Sequence, residues 1–231
     1  MRKFFVDGAA PMRNYSKIMN RRSTSEPAPQ SLRERLRSTT IETILDAAEE
    51  VFADHGLHAA HMGEIASRAG VSVGTLYNHF EDREALLAGL LEARKVELLA
   101  RLDEVLQTAR DRPAVERLRG MVETMLVHKS RHRKFMQILV QGEIGRYAST
   151  FPSASQMPGA TLHEIHNRVE KVVRQGIKDG SLRPDIEAVA PMMLMGMVRS
   201  LAIRDAFRKS QGDPIADAAE LLDFFMKGAG K

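Results

Sequence analysis

Apolar residues recur at steps of three and four along most of the chain, which is the spacing of one face of an α-helix. The pattern begins near Arg37, and its first run, from Ile41 to Phe52, is followed by Gly56, a residue type that commonly ends helices. No stretch alternates apolar and polar residues for long enough to predict a strand. The chain is therefore predicted to be all-α, with about nine helices.

Two short helices are predicted after the first one. Apolar residues between Met62 and Ala69 predict a second helix that Gly70 closes. Leu76 and Phe80 then predict a short third helix, which ends before two acidic residues. Together with the start of the next helix, these elements are expected to form one small compact unit.

The fourth predicted helix is long and rich in leucine. Asp82 suits its N-cap, and it ends near Pro113 because the residue before a proline is disfavoured in the helical region. Loops marked by glycine and proline then separate five more helices. Their predicted ranges are 114–129, 131–147, 161–179, 185–208 and 214–227. This order predicts a small amino-terminal unit joined by the long helix to a larger helical one.

The composition excludes several classes of function. The 231 residues contain no cysteine, which excludes disulfides, thiolate metal sites and thiol catalysis. No apolar run approaches the ~18 residues of a membrane span, and the first residues lack the apolar middle of a secretory signal, so we expect a cytoplasmic protein. The formal net charge of +4 permits a polyanionic partner but is weak evidence for one.

The segment MGEIASRAGVSVGTLYNHF, residues 62–80, carries the clearest functional motif. Its apolar residues can close a small core between two helices that cross steeply, and Gly70 allows a left-handed turn. Ser72 is predicted to cap the third helix, so that the small and polar residues of its first turns face outward. This spacing is typical of a helix-turn-helix, whose second helix enters the major groove of DNA.

The outward residues of the third helix suit contacts with DNA. Thr75, Tyr77 and His79 can donate hydrogen bonds to phosphate oxygens, and Asn78 can pair with the edge of an adenine. Gly74 costs a helix roughly 1 kcal/mol relative to alanine, so its presence favours a close approach of the backbone to DNA. The alternative interpretation is a plain helical hairpin with exposed polar residues.

The segment GEIASRAGVSVGTLYNHFEDREALL, residues 63–87, resembles the tetracycline-repressor (TetR) family of bacterial transcriptional regulators. The resemblance extends over about residues 37–91 and implies that the third helix lies in the major groove. It implies contacts with the groove or with phosphates from Val73, Gly74, Thr75, Tyr77 and His79, and a phosphate contact from Arg83. With Ser72 and Asn78, these residues form the predicted DNA-binding site.

Two positions of the second helix depart from that family. The family often has Thr or Ser where His61 stands, and frequently a basic or polar side chain at the place of Gly63. His61 can still cap the helix or touch a phosphate, whereas Gly63 offers only its backbone. We therefore expect no side-chain contact with bases from the second helix.

The segment GIKDGSLRPDIEAVAPMMLMGMVRSL, residues 176–201, resembles the join between the seventh and eighth helices of the same family. Family members typically bind a small molecule in the larger domain and dimerise through their last two helices, which here are also too apolar for lone surface helices. The expected contacts of an apolar ligand are Leu118, Met121, Val122, Met125, Phe135, Leu139, Ile165, Val169 and Met192. The expected dimer interface is Met193, Met197, Leu201, Leu221, Leu222 and Phe225. Ordinary core filling explains each methionine equally well.

Two pairs of histidines have helical spacing. His128 and His132 are four apart, and His163 and His166 are three apart, which puts each pair on one face of its helix. The residues around the first pair are basic and would repel a cation, and no cysteine or clustered aspartate completes either pair. We therefore expect no metal site. No catalytic motif is recognisable, so no cofactor and no enzymatic activity are expected.

Residues 1–35 are rich in proline, serine and arginine and have no apolar periodicity, so we expect a disordered basic arm. The arm either follows DNA phosphates or is a solvated tail without a role. Met12 and Met19 leave room for a natural start further downstream. Residues 36–84 are then the helix-turn-helix DNA-binding domain, and residues 85–231 the helical ligand-binding and dimerisation domain.

These observations predict a homodimeric, nucleoid-associated regulator that binds a roughly palindromic DNA operator as a repressor and leaves it when a small apolar ligand binds. A first alternative is a ligand-independent nucleoid-associated or architectural DNA-binding protein of the same fold. A second is a helical enzyme or partner-binding bundle that keeps the hairpin only as structure. A footprint with two symmetric protected halves would exclude the second alternative.

Overall fold

The computed structural model of the protein describes residues 31–140, 158–207 and 212–230. Over these residues the chain forms nine α-helices and one 3₁₀ turn (Pro184–Ile186), and its extended backbone pairs in an isolated bridge between Leu182 and Gly230. The helices are α1 (Leu32–His55), α2 (Met62–Arg68), α3 (Val73–His79), α4 (Arg83–Thr108), α5 (Ala114–Arg131), α6 (Arg133–Val140), α7 (Pro158–Lys178), α8 (Ala190–Phe207) and α9 (Pro214–Ala229). The predicted all-α fold is confirmed. No described helix is long and apolar enough to cross a membrane.

Helix α1 begins at Leu32, inside the segment that the sequence predicts to be disordered. Ser31 and Glu34 form a capping box, in which the Glu34 N–H donates to the Ser31 hydroxyl at 3.3 Å and the Ser31 N–H donates to the Glu34 carboxylate at 3.0 Å. The prediction of disorder is therefore wrong for residues 32–35, because these local bonds satisfy the helix end without an apolar core. Residues 1–30 of the predicted arm lie outside the described ranges.

The chain divides into two compact units, one up to Ala93 and one from Arg94 onward. The domain boundary predicted from the sequence is residue 84, and the observed division lies further along the chain. The first turns of α4 belong to the first unit, since the ring of Phe80, just after α3, lies against Gly89 of α4. A Cβ atom at Gly89 would come within 2.6 Å of that ring.

The second unit is built around α5. This helix packs against α7, α8 and α9, and α8 also packs against α6, α7 and α9. Leu118, Met121 and Val122 of α5 are fully buried in a core that includes residues from α4 and from each of α7, α8 and α9. The predicted helices of this region are present, with shifts at their ends.

Two of those shifts have local causes. The helix predicted over 185–208 is interrupted, because the chain first forms the 3₁₀ turn and α8 begins only after it. Pro191 lies in the first turn of α8, where a helix does not use the backbone N–H that proline lacks. The helix predicted over 131–147 begins at Arg133, since His132 leaves the helical region with φ −106° and ψ 47°. The remainder of that prediction, residues 141–147, lies outside the described ranges.

Candidate nucleic-acid interface

Helices α2 and α3 are joined by a tight turn. Gly70 has a φ of +66°, in the left-handed region where a side chain would be strained, and the Val71 N–H donates back to the Ala66 carbonyl at 3.0 Å. Ile65 of α2 and Leu76 of α3 are fully buried. The two short helices and the left-handed turn predicted from the sequence are confirmed.

Arg68 holds α2 against α1. Its guanidinium donates to Asp54 of α1 at 3.0 Å and to Glu64 of its own helix at 3.3 Å. The bond to Asp54 connects the end of α1 with the helix that supports α3, and the bond to Glu64 lies within α2. They are largely solvent-exposed, so they orient α2 more than they stabilise it.

Ser72 caps α3, as predicted. Its hydroxyl oxygen accepts from the Thr75 N–H at 3.0 Å and also shares a hydrogen bond with the Thr75 hydroxyl at 2.8 Å. The hydroxyl groups of Ser72 and Thr75 are thus both hydrogen-bonded at the start of α3. Within the predicted site, Ser72 and Thr75 orient α3, and the residues that follow provide its exposed surface.

The exposed surface of α3 consists of Val73, Gly74, Tyr77 and Asn78. Residues four apart lie on the same side of a helix, so these four form one continuous face. Val73 is 47% exposed and Tyr77 50% exposed, although both side chains carry large apolar groups. This face contributes nothing to the core, which Leu76 supplies from the opposite side.

His79 lies at the edge of that face and is half-buried. Its Nδ1 atom is buried and has no hydrogen-bond partner among the described residues, so a phosphate contact would use Nε2. Burial lowers the pKa of His79, and the positive charge of Arg37 on α1 lowers that pKa further. Sequence reasoning missed Arg37 as a neighbour of the site, although arginine at every second position, Arg33, Arg35 and Arg37, indicates a basic segment.

Arg83 is engaged inside the protein. Its Nη1 donates to the His58 carbonyl at 2.6 Å, its Nη2 donates to Glu84 at 3.2 Å, and its Nε is buried. These bonds tie the first turn of α4 to the loop between α1 and α2. Arg83 thus has a structural role in this conformation, and its predicted contact with phosphate stays a prediction. Asp82 caps α4 as predicted, accepting from the Ala85 N–H at 2.6 Å.

Most of the predicted ligand contacts lie in the interior of the second unit. Leu139 is half-buried, and Met192 does not join the others because it is 64% exposed on α8. The buried members are Leu118, Met121, Val122, Met125, Phe135, Ile165 and Val169. Apart from Phe135, these residues belong to one cluster of packed, buried side chains.

Two clefts of the second unit lie elsewhere. One has a volume of only about 20 Å³, room for a single water, beside Lys129 and Asp217. The other, of about 400 Å³, has walls that include Asp103, Arg117 and Arg168, which suit a polar molecule. Neither cleft is lined by a predicted ligand residue.

The predicted dimer residues divide into exposed and buried ones. Met193 is 60% exposed, while Met197 and Leu201 are half-buried. The three from α9 are buried in the core of their own chain, because that face of α9 packs against α5. They are Leu221, Leu222 and Phe225. The exposed aromatic residue of α9 is Phe224, at 72%, which the prediction missed by misjudging the helix face.

Comparison with known proteins gives matches over both units. The family model "Bacterial regulatory proteins, tetR family" matches residues 44–90, and the model "Tetracyclin repressor-like, C-terminal domain" matches residues 111–203. Together they span more than half of the chain. The HTH-type transcriptional repressor KstR2 of Mycolicibacterium smegmatis is 29% identical over 149 residues, which are 62% of this chain and 68% of that protein.

Solved structures have the same fold. The ketosteroid transcriptional regulator KstR2 of Mycobacterium tuberculosis matches with a TM-score of 0.66 and 23% identity, over 83% of this chain and 95% of that chain. The transcriptional regulator FadR of Bacillus subtilis, in complex with stearoyl-CoA, matches with a TM-score of 0.63 and 21% identity, over 81% of this chain and 98% of that chain. With an amino-terminal helix-turn-helix and both family models matched, this chain belongs to the TetR family of bacterial transcriptional regulators.

Proposed function

We propose that this regulator binds a roughly palindromic operator as a homodimer, represses transcription in the cytoplasm, and releases the operator when a small apolar ligand binds its second unit. It acts by binding and not as an enzyme. The observation that carries the proposal is the face of α3 formed by Val73, Gly74, Tyr77 and Asn78, which is exposed and has no part in the core.

The chemistry of this face suits double-stranded DNA. The Tyr77 hydroxyl can donate to a phosphate oxygen, and the Asn78 amide can pair with an adenine edge in the major groove. Arg37, on α1 and near His79, adds a positive charge beside the face. Charged contacts with phosphates supply affinity, while contacts with base edges supply sequence preference.

A homodimer is supported by the exposed surface of α8. Met192, Met193 and Ile203 of α8, and Val189 directly before it, are each more than a third exposed. Gly196 lies among them, and nothing lies within 4 Å of the place a Cβ would take, so a second helix has room to approach. A twofold interface at this surface would present two copies of α3 to two half-sites, which explains a palindromic operator.

An apolar ligand is supported by the relatives and by the core. One structural neighbour is named a ketosteroid regulator and another is bound to stearoyl-CoA, and the steroid skeleton and the stearoyl chain are both apolar. Six of the predicted ligand residues belong to one packed core cluster, so a ligand among those six must displace side chains. Because the ligand then prefers a repacked conformation, its binding shifts the equilibrium between conformations.

The first experiment is a DNase footprint on genomic fragments selected by the full-length protein. We expect one protected site with two symmetric halves. Protection without symmetry would contradict the operator model, and no protection of any fragment would favour the partner-binding alternative. The same footprint is then repeated with stearoyl-CoA and with a ketosteroid, of which at least one should remove the protection.

The second experiment tests coupling between ligand and DNA. If the ligand lowers operator affinity by about 100-fold, operator DNA must lower ligand affinity by the same factor, because linkage is reciprocal. Leu139→Trp, at a half-buried position, should block the ligand while operator affinity stays near that of the parent. Ligands that bind without changing operator affinity would contradict induction and favour the ligand-independent alternative.

A further inference from the structure

Three polar side chains come together between α4 and α5 in the second unit. His128 of α5 and His132, which follows the last residue of α5, are 3% and 7% exposed, and Glu97 of α4 is half-buried beside them. One atom from each that could bind a metal lies within 4.8 Å of the other two. The sequence analysis found no cysteine or clustered aspartate to complete this histidine pair, and the third group is a glutamate that comes from another helix.

His128 has an unsatisfied nitrogen. Its Nδ1 is buried and has no hydrogen-bond partner among the described residues, and its ring contacts the His132 ring with centroids 4.7 Å apart. Leaving a buried polar nitrogen unpaired costs free energy, so a native structure that does so calls for an explanation. A metal ion at this nitrogen is such an explanation.

The two carboxylate oxygens of Glu97 face different partners. Oε1 is 2.9 Å from Arg101 and 3.6 Å from Arg131, whereas Oε2 is 2.9 Å from Nε2 of His132. Arg101 and Arg131 therefore hold one oxygen, and the nearest partner of the other oxygen is His132. Metal-binding carboxylates are commonly oriented by such outer hydrogen bonds.

The positive charges near the cluster do not all act on it. Lys129, next to His128 in sequence, donates to the Val198 carbonyl on α8 at 2.6 Å. Arg131 is 60% exposed, so water screens its charge. Arg94 and Arg101 both oppose a cation, because Arg94 is buried and lies 3.8 Å from Oε2 of Glu97, and Arg101 lies 2.9 Å from Oε1.

His132 already contacts the carboxylate of the cluster, since its Nε2 lies 2.9 Å from Oε2 of Glu97. A metal ion bound by these two atoms would take the place of that contact. The proton of the contact would then leave Nε2 of His132, because a nitrogen that binds a metal must offer its lone pair.

We propose that Glu97, His128 and His132 bind a late first-row divalent cation, with Zn²⁺ the best match to two imidazoles and one carboxylate. Ligand atoms around tetrahedral zinc are ~3.4 Å apart, so the three side chains must close in slightly on binding. The bound ion would then fasten α4 to α5. This site is independent of the function proposed above.

The test is a titration of the metal-free full-length protein with Co²⁺, followed by displacement with Zn²⁺. We expect one equivalent per chain, with the strong visible absorption of low-coordinate cobalt, which Zn²⁺ abolishes. His128→Gln should weaken binding by about 100-fold or more while leaving the ion pairs of Glu97 intact, since His128 takes no part in them. His163→Gln, at an exposed histidine of α7, is the matched control and should bind like the parent.

Thermal unfolding gives a second readout. Zn²⁺ should raise the melting temperature of the parent and of His163→Gln but not that of His128→Gln, because a ligand that binds only the folded state stabilises it. Glu97→Gln serves as a second variant if His128→Gln does not fold. Equal cobalt affinity in the parent and in these variants, or weak binding without low-coordinate absorption in the parent, would overturn the proposal.

Discussion

Leu76 and Tyr77 are adjacent in sequence yet differ completely in environment. Leu76 is fully buried, whereas Tyr77 is 50% exposed, because one residue step turns the side chain by about 100° around the helix. Leu76 holds α3 in place, and Tyr77 is available to a partner. Substitutions at the two positions should therefore affect different properties, one the stability of the fold and the other the binding of DNA.

Tyr77→Phe should weaken operator binding and leave the preferred base sequence unchanged. Loss of one neutral hydrogen bond to a phosphate corresponds to about 1 kcal/mol, or roughly fivefold in affinity, and phosphate contacts carry no sequence information. Fluorescence anisotropy with the operator and a set of single-base variants measures both effects. A lower melting temperature with unchanged affinity would instead show that the hydroxyl has a structural role.

His128 should make the folded state sensitive to acid. Its pKa is about 4 in the folded protein and about 6.5 in an unfolded chain, so the unfolded chain takes up the proton first. The stability contributed by neutral His128 is therefore complete above pH 6.5 and is lost as the pH falls towards 4. Urea unfolding at several pH values, in the presence of EDTA, should show a smaller loss for His128→Gln than for the parent or for His163→Gln. Equal losses in all three proteins would contradict this assignment.

The elements of the first unit were predictable because their signals are local. Ser72 caps α3 through a residue three positions away, and Gly70 turns the chain through its own backbone. The face of α9 was mispredicted because Leu221 and Phe224 are equally apolar, and only packing against α5 decides which one is buried. Glu97 was missed for the same reason, since its distance from the histidines depends on how α4 and α5 pack.

Gly74 and Gly63 allow a matched test of α3 as the DNA-contacting element. A Cβ at Gly74 would meet only Ser72 Oγ, at 3.8 Å, and a Cβ at Gly63 would meet nothing within 4 Å. Replacement by alanine should therefore raise the melting temperature at both positions, with up to ~1 kcal/mol gained for each helix. Gly74→Ala should also reduce operator affinity, because the new methyl group lies on the exposed face of α3.

The control in this pair is Gly63→Ala, which changes α2 and should leave operator affinity unchanged. Electrophoretic mobility shifts of both variants on one operator fragment provide the comparison. If Gly74→Ala bound as tightly as the parent, the backbone of α3 would not approach DNA closely at that point.

For the molecule as a whole, the exposed side of α8 should determine the oligomeric state. Met193→Glu should produce monomers and weaken operator binding strongly, because a monomer contacts one half-site at a time. Leu162→Glu, at a 47% exposed leucine of α7, is the matched control and should remain a dimer. Light scattering at micromolar concentration measures both. A monomeric parent, or a dimeric Met193→Glu variant, would exclude this interface.

The contact between Phe80 and Gly89 has a consequence for genetics. A Cβ at position 89 would come within 2.6 Å of a ring that is itself only 6% exposed, so every other residue type there must displace the ring of Phe80, the residue that follows α3. A screen for loss of repression should therefore recover substitutions at Gly89, although this residue lies outside the DNA-contacting face. Second-site suppressors of Gly89→Ala should arise at Phe80 as smaller apolar residues, and the two substitutions should be recovered together in the suppressed strains.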